Sequence, residues 1–180
     1  RQRGEAVPDL MGLLDLVALA TVCDVVPLVG LNRAFVARGL EIMRQSRNRG
    51  MAALTLAARI NGPVGAYHLG YMLGPRINAG GRIGNAGLGA ELLASDDEHR
   101  VMAIAAELDA LDQERQRLEL DAVEEASRAA EAEIGSGEGP PVLVMASANW
   151  HAGVVGLVAG RLRERFDRPA FAIARGPDGG

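Results

Sequence analysis

Three stretches of the sequence hold residue types that can bind a metal ion or an anion. In Thr21-Val22-Cys23-Asp24-Val25-Val26-Pro27-Leu28, Asp24 is the one acid among apolar neighbours. Such neighbours predict a carboxylate near a buried wall, where a charge must be paired or bound to a metal. An aspartate at this place can equally cap the next turn or pair with an arginine. The second stretch is Gly74-Pro75-Arg76-Ile77-Asn78-Ala79-Gly80-Gly81-Arg82-Ile83-Gly84. Glycines at this density let backbone amides approach a phosphate, while Arg76 and Arg82 add two guanidinium forks and Asn78 an amide. It lacks the Gly-Lys-Ser/Thr of a P-loop and follows no strand as a Rossmann fingerprint does. Anion binding and a tightly turned surface loop both fit it. The third stretch, Ser147-Ala148-Asn149-Trp150-His151-Ala152-Gly153-Val154-Val155-Gly156, leads from a strand into a helix. A helix start offers unpaired amides and a positive dipole end, and His151 would face an anion bound there. The plainer reading is a hydrogen-bonded histidine beside glycines that let a helix pack on a sheet.

These residues need elements to position them. Asp9 to Ala20 has helical apolar spacing through Leu10, Leu13, Leu14, Val17 and Ala18, so Asp24 falls at a helix exit or in a loop. Asn32–Gln45 and Met51–Ile60 predict two more amphipathic helices. Gly62 to Gly89 is so rich in glycine that it predicts loop rather than a regular element. Ser95-Asp96-Asp97-Glu98 carries a capping-box signature, and no proline or glycine follows before Gly135. A helix of that extent is roughly 55 Å long at 1.5 Å per residue. Its apolar seam is interrupted by Arg115 and Glu125, which favours a connecting helix over a sustained coiled coil. Gly135–Pro141 reads as a linker, Val142–Ala146 as a strand, Gly153–Phe166 as a helix and Ala170–Ala174 as a second strand. That order is the βαβ unit of an α/β domain.

Composition limits the function classes. With 48% hydrophobic and 23% charged residues over 180 positions, the chain can build a core, and bulk disorder is excluded. No run approaches the roughly 20 apolar residues of a membrane span. No apolar signal core follows Arg1-Gln2-Arg3-Gly4-Glu5. A lone cysteine, Cys23, fits a reducing compartment, so a soluble, cytoplasmic protein is expected. The net charge of −4 hides an asymmetry: Asp96–Glu133 holds 13 of the 23 acids and 4 of the 19 basic residues, leaving the remainder at +5. All 19 basic residues are arginine, which is more simply a compositional bias than a phosphate-binding device. The start on arginine and the turn-like Pro177-Asp178-Gly179-Gly180 read as a piece of a larger chain.

In order and spacing, Asp15–Leu28, Pro75–Arg82 and Trp150–Gly156 resemble the RecJ-type single-strand-specific exonucleases of the DHH/DHHA1 phosphoesterase superfamily. The resemblance implies an α/β chain with the end of a DHH domain over 1–94, a connecting helix over 95–134, and the first βαβ unit of an incomplete DHHA1 domain over 135–180. It implies that Asp24 is a catalytic metal ligand for a pair of Mn2+ or Mg2+ ions, and that Arg76, Asn78, Arg82, His151 and Gly153 bind substrate. The implied activity is 5′-to-3′ hydrolysis of single-stranded DNA in repair and recombination, with a single-strand-binding protein or a helicase as further candidate partners. The family's aspartate pair, its Asp-His-His and its later glycine-rich motif are absent, so the fragment by itself is expected to be inactive. Cys23 and Ala20 stand where alanine and glycine are usual. Two other readings remain: a DHH-type phosphodiesterase of short oligonucleotides or cyclic dinucleotides, and a non-catalytic nucleic-acid-binding or assembly module.

Overall fold

The computed structural model describes residues 9–45 and 47–176, so Arg1–Glu5 and Pro177–Gly180 lie outside the described residues. In chain order the elements are α1 (Leu14–Cys23), entered through a 3-10 turn at Met11–Leu13, α2 (Gly30–Met43), α3 (Arg49–Ala57) and α4 (Ala66–His68). A π-helical turn over Leu69–Leu73 leads directly into α5 (Gly74–Ile83), followed by α6 (Leu88–Ala94) and α7 (Glu98–Ile134). Then come β1 (Leu143–Ser147), α8 (Val155–Phe166) and β2 (Ala170–Ala174). Among the described residues no helix is long and apolar enough to cross a membrane. The chain divides into two compact units, Arg1–Asn78 with Gly87–Asp109, and Ala79–Ala86 with Ala110–Gly180. Both α5 and α7 contribute to each unit.

In the first unit, glycines bring helices into backbone contact. A Cβ on Gly39 of α2 would overlap the Leu14 carbonyl of α1, and one on Gly50 of α3 would overlap the Leu92 carbonyl of α6. Asn48 caps α3, its Oδ1 accepting from the Met51 amide at 2.8 Å, and its Nδ2 donates to the Leu93 carbonyl at 2.9 Å. Leu54, Leu69, Leu73, Leu92, Ile104 and Leu108 are fully buried.

The loop expected over Gly62–Gly89 is largely helical instead, through α4, the π turn, α5 and the start of α6. Its glycines serve close packing. A Cβ on Gly74 would lie 2.6 Å from Cys23 Sγ, and one on Gly89 would lie 2.7 Å from Ile77 Cγ2. Pro75 has no amide hydrogen, and its ring crowds the carbonyl four residues back. The wider π turn immediately before it, where the Gly74 amide reaches back to the Leu69 carbonyl, accommodates the change in the ladder.

α7 begins at Glu98, later than a capping box at Ser95 implies. The working cap is Asp97, whose Oδ1 accepts from the Arg100 amide at 3.1 Å and whose carbonyl accepts from Val101 at 2.9 Å. At 37 residues the helix is about 55 Å long. It ends at Gly135, whose φ of +58° suits the left-handed exit of a helix.

In the second unit Ala122, Ala126 and Ala130 of α7 give a low-profile face against Leu143, Met145, Trp150, Val158 and Leu162. β1 and β2 pair in parallel from Leu143↔Ala170 to Ser147↔Ala174, with α8 as the crossover, which is the βαβ order read from the sequence. Arg115 interrupts the apolar seam because it lies within a network: its Nε and Nη2 reach Asp112 Oδ1 at 3.1 and 3.0 Å, and Nη1 reaches Glu119 Oε2 at 2.6 Å. Asp112 is buried, so its charge requires such partners.

Gly50→Ala places a methyl group against the Leu92 carbonyl, where neither backbone can yield cheaply. The substitution is expected to destabilise the first unit by about 2 kcal/mol, read as a lower midpoint in urea unfolding. An unchanged midpoint would show that α3 and α6 are not in backbone contact.

Candidate functional site

α1 ends in a Schellman arrangement. The Val26 amide donates to the Thr21 carbonyl at 3.0 Å and the Val25 amide to the Val22 carbonyl at 3.1 Å, with Asp24 as the C-cap. The left-handed position of this motif, usually glycine, holds Val25 at φ +55°. A β-branched side chain there is strained. The turn directs Asp24 outward. The expectation that apolar neighbours would set its carboxylate near a buried wall is corrected: Asp24 is exposed, and so are Val25 and Val26, because the run lies at a helix exit and not inside a layer. Among the described residues no hydrogen-bond donor engages the Asp24 carboxylate. Burial, together with the nearby Asp24 charge, pushes the Cys23 thiol up to about 11, and Cys23 Sγ faces the Leu69 carbonyl at 3.5 Å. Gly70 and Gly74 make this possible by letting Val22 and Cys23 settle on the π turn.

Arg76, Asn78 and Arg82 all lie on α5. Arg76 Nε donates to Asp109 Oδ1 at 2.8 Å and Nη1 to the Met72 carbonyl at 2.7 Å, with the two charged side chains only 15% and 13% exposed. This guanidinium ties α5 to α7. Asn78 is exposed. Arg82 is also exposed, and its Nη1 donates to the Gly153 carbonyl at 3.3 Å. A Cβ on Gly153 would overlap the Arg82 carbonyl, so only glycine allows the turn before α8 to rest on the end of α5.

His151 is exposed on that turn, and its Nδ1 accepts from the Gly153 amide at 3.0 Å. With Nδ1 as acceptor, the neutral ring carries its proton on Nε2, which can donate outward. Trp150 is buried, and its indole N–H donates to Glu125 at 3.1 Å, which accounts for the second polar interruption of the α7 seam. The structure therefore brings Arg82, His151 and Gly153 together in the second unit, while Asp24, Arg76 and Asn78 belong to the first.

Tyr67 and Tyr71, which no motif of the sequence marks, also lie beside the exit of α1. Their rings stack at 5.0 Å between centroids and 28° between planes, beside a groove of about 480 Å³ to which Cys23 and Val25, the neighbours of Asp24, also contribute. Their spacing of four residues is a usable signal in the sequence, masked by the glycines around it. Among the described residues no group of three or more histidine, cysteine, aspartate or glutamate side chains is placed to hold a metal ion.

The described residues thus combine a helical unit, with an exposed carboxylate at a helix exit, and an α7 that continues into a parallel βαβ unit. No protein-family profile matches the chain. It is 42% identical over 181 residues to the single-stranded-DNA-specific exonuclease RecJ of Dickeya dadantii, covering 99% of this chain and 31% of that protein. It is 41% identical to the RecJ exonuclease of Escherichia coli, with the same coverage. A crystal structure of RecJ from Thermus thermophilus in complex with Mg2+ superposes with a TM-score of 0.83 at 34% identity, over 94% of this chain and 26% of that one. A structure of exonuclease RecJ bound to manganese gives 0.84 at 34% identity, over 95% and 42%. The chain belongs to the RecJ family. It spans about a third of the length of the curated relatives it matches.

Val25→Gly should relieve the strained cap and raise the stability of the first unit by about 1 kcal/mol, the left-handed penalty less the backbone entropy that glycine adds. Denaturant unfolding of the two proteins measures it. A loss of stability would mean that Val25 is not left-handed.

Proposed function

We propose that the complete protein is a 5′-to-3′ exonuclease of single-stranded DNA, acting in repair and recombination with Mn2+ or Mg2+. The observation that carries this reading is Asp24, an exposed carboxylate with no partner among the described residues, held at the end of α1 by a strained turn within a chain 42% identical to a RecJ exonuclease. In this reading 1–94 closes a DHH domain, 95–134 connects, and 135–180 opens a DHHA1 domain. α7 is shared, since Glu98–Asp109 groups with the first unit. In this reading the protein acts in the cytoplasm, where a single-strand-binding protein or a helicase would present its substrate.

Asp24 supplies one ligand of the metal set, the others coming from outside this chain. Divalent cations bound there would lower the pKa of water and offset charge developing on the scissile phosphate. The chain's own residues hold and aim the strand. Of the two arginines of α5, Arg82 is the one left exposed to a phosphate, and its tie to the Gly153 carbonyl sets its direction. His151 adds an Nε2–H donor, and the exposed Asn78 an amide. Arg76 is committed to Asp109 and Met72, so its proposed role is to hold α5 in place for Asn78 and Arg82. The acidic middle of α7 repels phosphate and is assigned no strand contact.

Asp24→Asn in the complete protein is expected to remove nearly all nuclease activity while leaving cooperative unfolding unchanged. Wild-type turnover of this variant in Mn2+ would remove Asp24 from the metal set.

Salt dependence separates the substrate-binding residues. Arg82→Ala should reduce the log–log slope of single-strand binding by ~0.7, because one counterion-releasing contact is lost. His151→Ala and Asn78→Ala should weaken binding at alkaline pH with the slope and the cation affinity unchanged, since neutral donors release no counterions. If the Arg82 slope is unchanged, or His151→Ala loses a cation in metal titration, this division of roles is wrong.

A further inference from the structure

We infer that Tyr67 and Tyr71 form a stacking platform that holds a nucleobase of the single strand beside Asp24, an inference that rests on the exonuclease reading above. Both tyrosines of the chain are in this pair. They are 66% and 74% exposed, so their rings add little to the core beyond their contact with each other. His68 meets the Tyr67 ring edge-on at 6.0 Å, and its own ring is fixed by the Gly65 amide, which donates to Nδ1 at 3.0 Å. The π turn carries Tyr71, and irregular turns of this kind recur at functional sites.

The groove they line has an apolar wall of Val22, Cys23, Val25 and Val26. No lining residue is charged, which suits a base and not a phosphate. Cys23 and Val25 flank Asp24 in sequence and line the same groove, so a base seated there puts its own backbone near the carboxylate proposed to hold the metals. Every base presents a π face, so such a platform tolerates any sequence while requiring an unstacked, single strand. Selectivity for single strands would then come partly from these two rings, because a paired and stacked base cannot enter the groove.

The test uses the complete protein carrying Asp24→Asn to prevent cleavage, and single-stranded oligonucleotides with 2-aminopurine at successive positions from the 5′ end. Stacking on a tyrosine quenches the probe. One position should be quenched in the parent and restored to full emission by Tyr71→Ala or Tyr67→Ala, with affinity falling roughly 10-fold. Tyr71→Phe and Tyr71→Trp should keep both quenching and affinity. An abasic residue at the quenched position should weaken the parent by a similar factor and leave Tyr71→Ala unaffected. Normal binding with no quenched position overturns the platform while leaving the exonuclease reading intact. Failure of the parent to bind any oligonucleotide overturns both. A marked loss of thermal stability in Tyr71→Ala, with quenching unaltered, would show that the groove is filled by another part of the same chain. A shift in sedimentation without a change in DNA binding would assign it to a second copy.

Discussion

The end of α1 occupies the space that a side chain on Gly74 would take. A Cβ there would meet Cys23 Sγ at 2.6 Å and the Leu69 carbonyl at 2.9 Å, so the helix exit and the π turn can touch only because residue 74 has none. Much of the first unit's candidate chemistry depends on that approach. It half-buries Cys23 and fixes the carbonyls from which the Schellman turn springs. It leaves Asp24 at the exit of α1, where the chain turns outward, and it places Tyr67 and Tyr71 beside the same exit. A side chain at residue 74 would separate these features even though it touches neither the carboxylate nor the rings.

The second unit repeats the device at a different place. Gly153 lets the turn before α8 rest on the Arg82 carbonyl, and the reciprocal bond from Arg82 Nη1 to the Gly153 carbonyl leaves the arginine exposed but directed. The alanine face of α7 performs the same service for the sheet, with Trp150 anchored by Glu125 at its margin. Where α7 carries charges at seam positions, they are paired: Asp112, Arg115 and Glu119 satisfy one another, which makes a polar break in an apolar stripe compatible with burial. An acidic helix can therefore be a structural spine whose charge is internally balanced in part.

The function proposed for the complete protein is distributed in the same way. One exposed carboxylate stands at a strained helix end, and the exposed donors proposed to meet a phosphate backbone are held on α5 and on the turn before α8. The arginine nearest to the proline of α5 is engaged within the fold, its guanidinium bonded to Asp109 of α7. Residue type therefore does not assign role. Arg76 and Arg82 lie six positions apart in one helix and do different work.

Elements whose signals are local were legible in the amino-acid order. The helix from Glu98 to Ile134, the βαβ order of the second unit, and the exit of α1 at Asp24 follow from periodicity, caps and breakers that act within a few residues. The family resemblance was likewise legible in three short runs. The remaining features emerge only on folding, because they depend on partners distant in the chain. Glycine density over 62–89 reads as loop, yet Gly70, Gly74, Gly80, Gly81 and Gly89 lie in helical turns, since at Gly74 and Gly89 the close side chains of Cys23 and Ile77 reward small size more than flexibility costs. The exposure of Asp24 depends on a left-handed Val25 that no propensity would choose. The engagement of Arg76 depends on an aspartate 33 residues away, and the tyrosine pair on a π turn that forms where Pro75 interrupts a regular ladder. Local spacing shows what a segment can become, and the atoms packed against it decide which residues remain exposed to do chemistry.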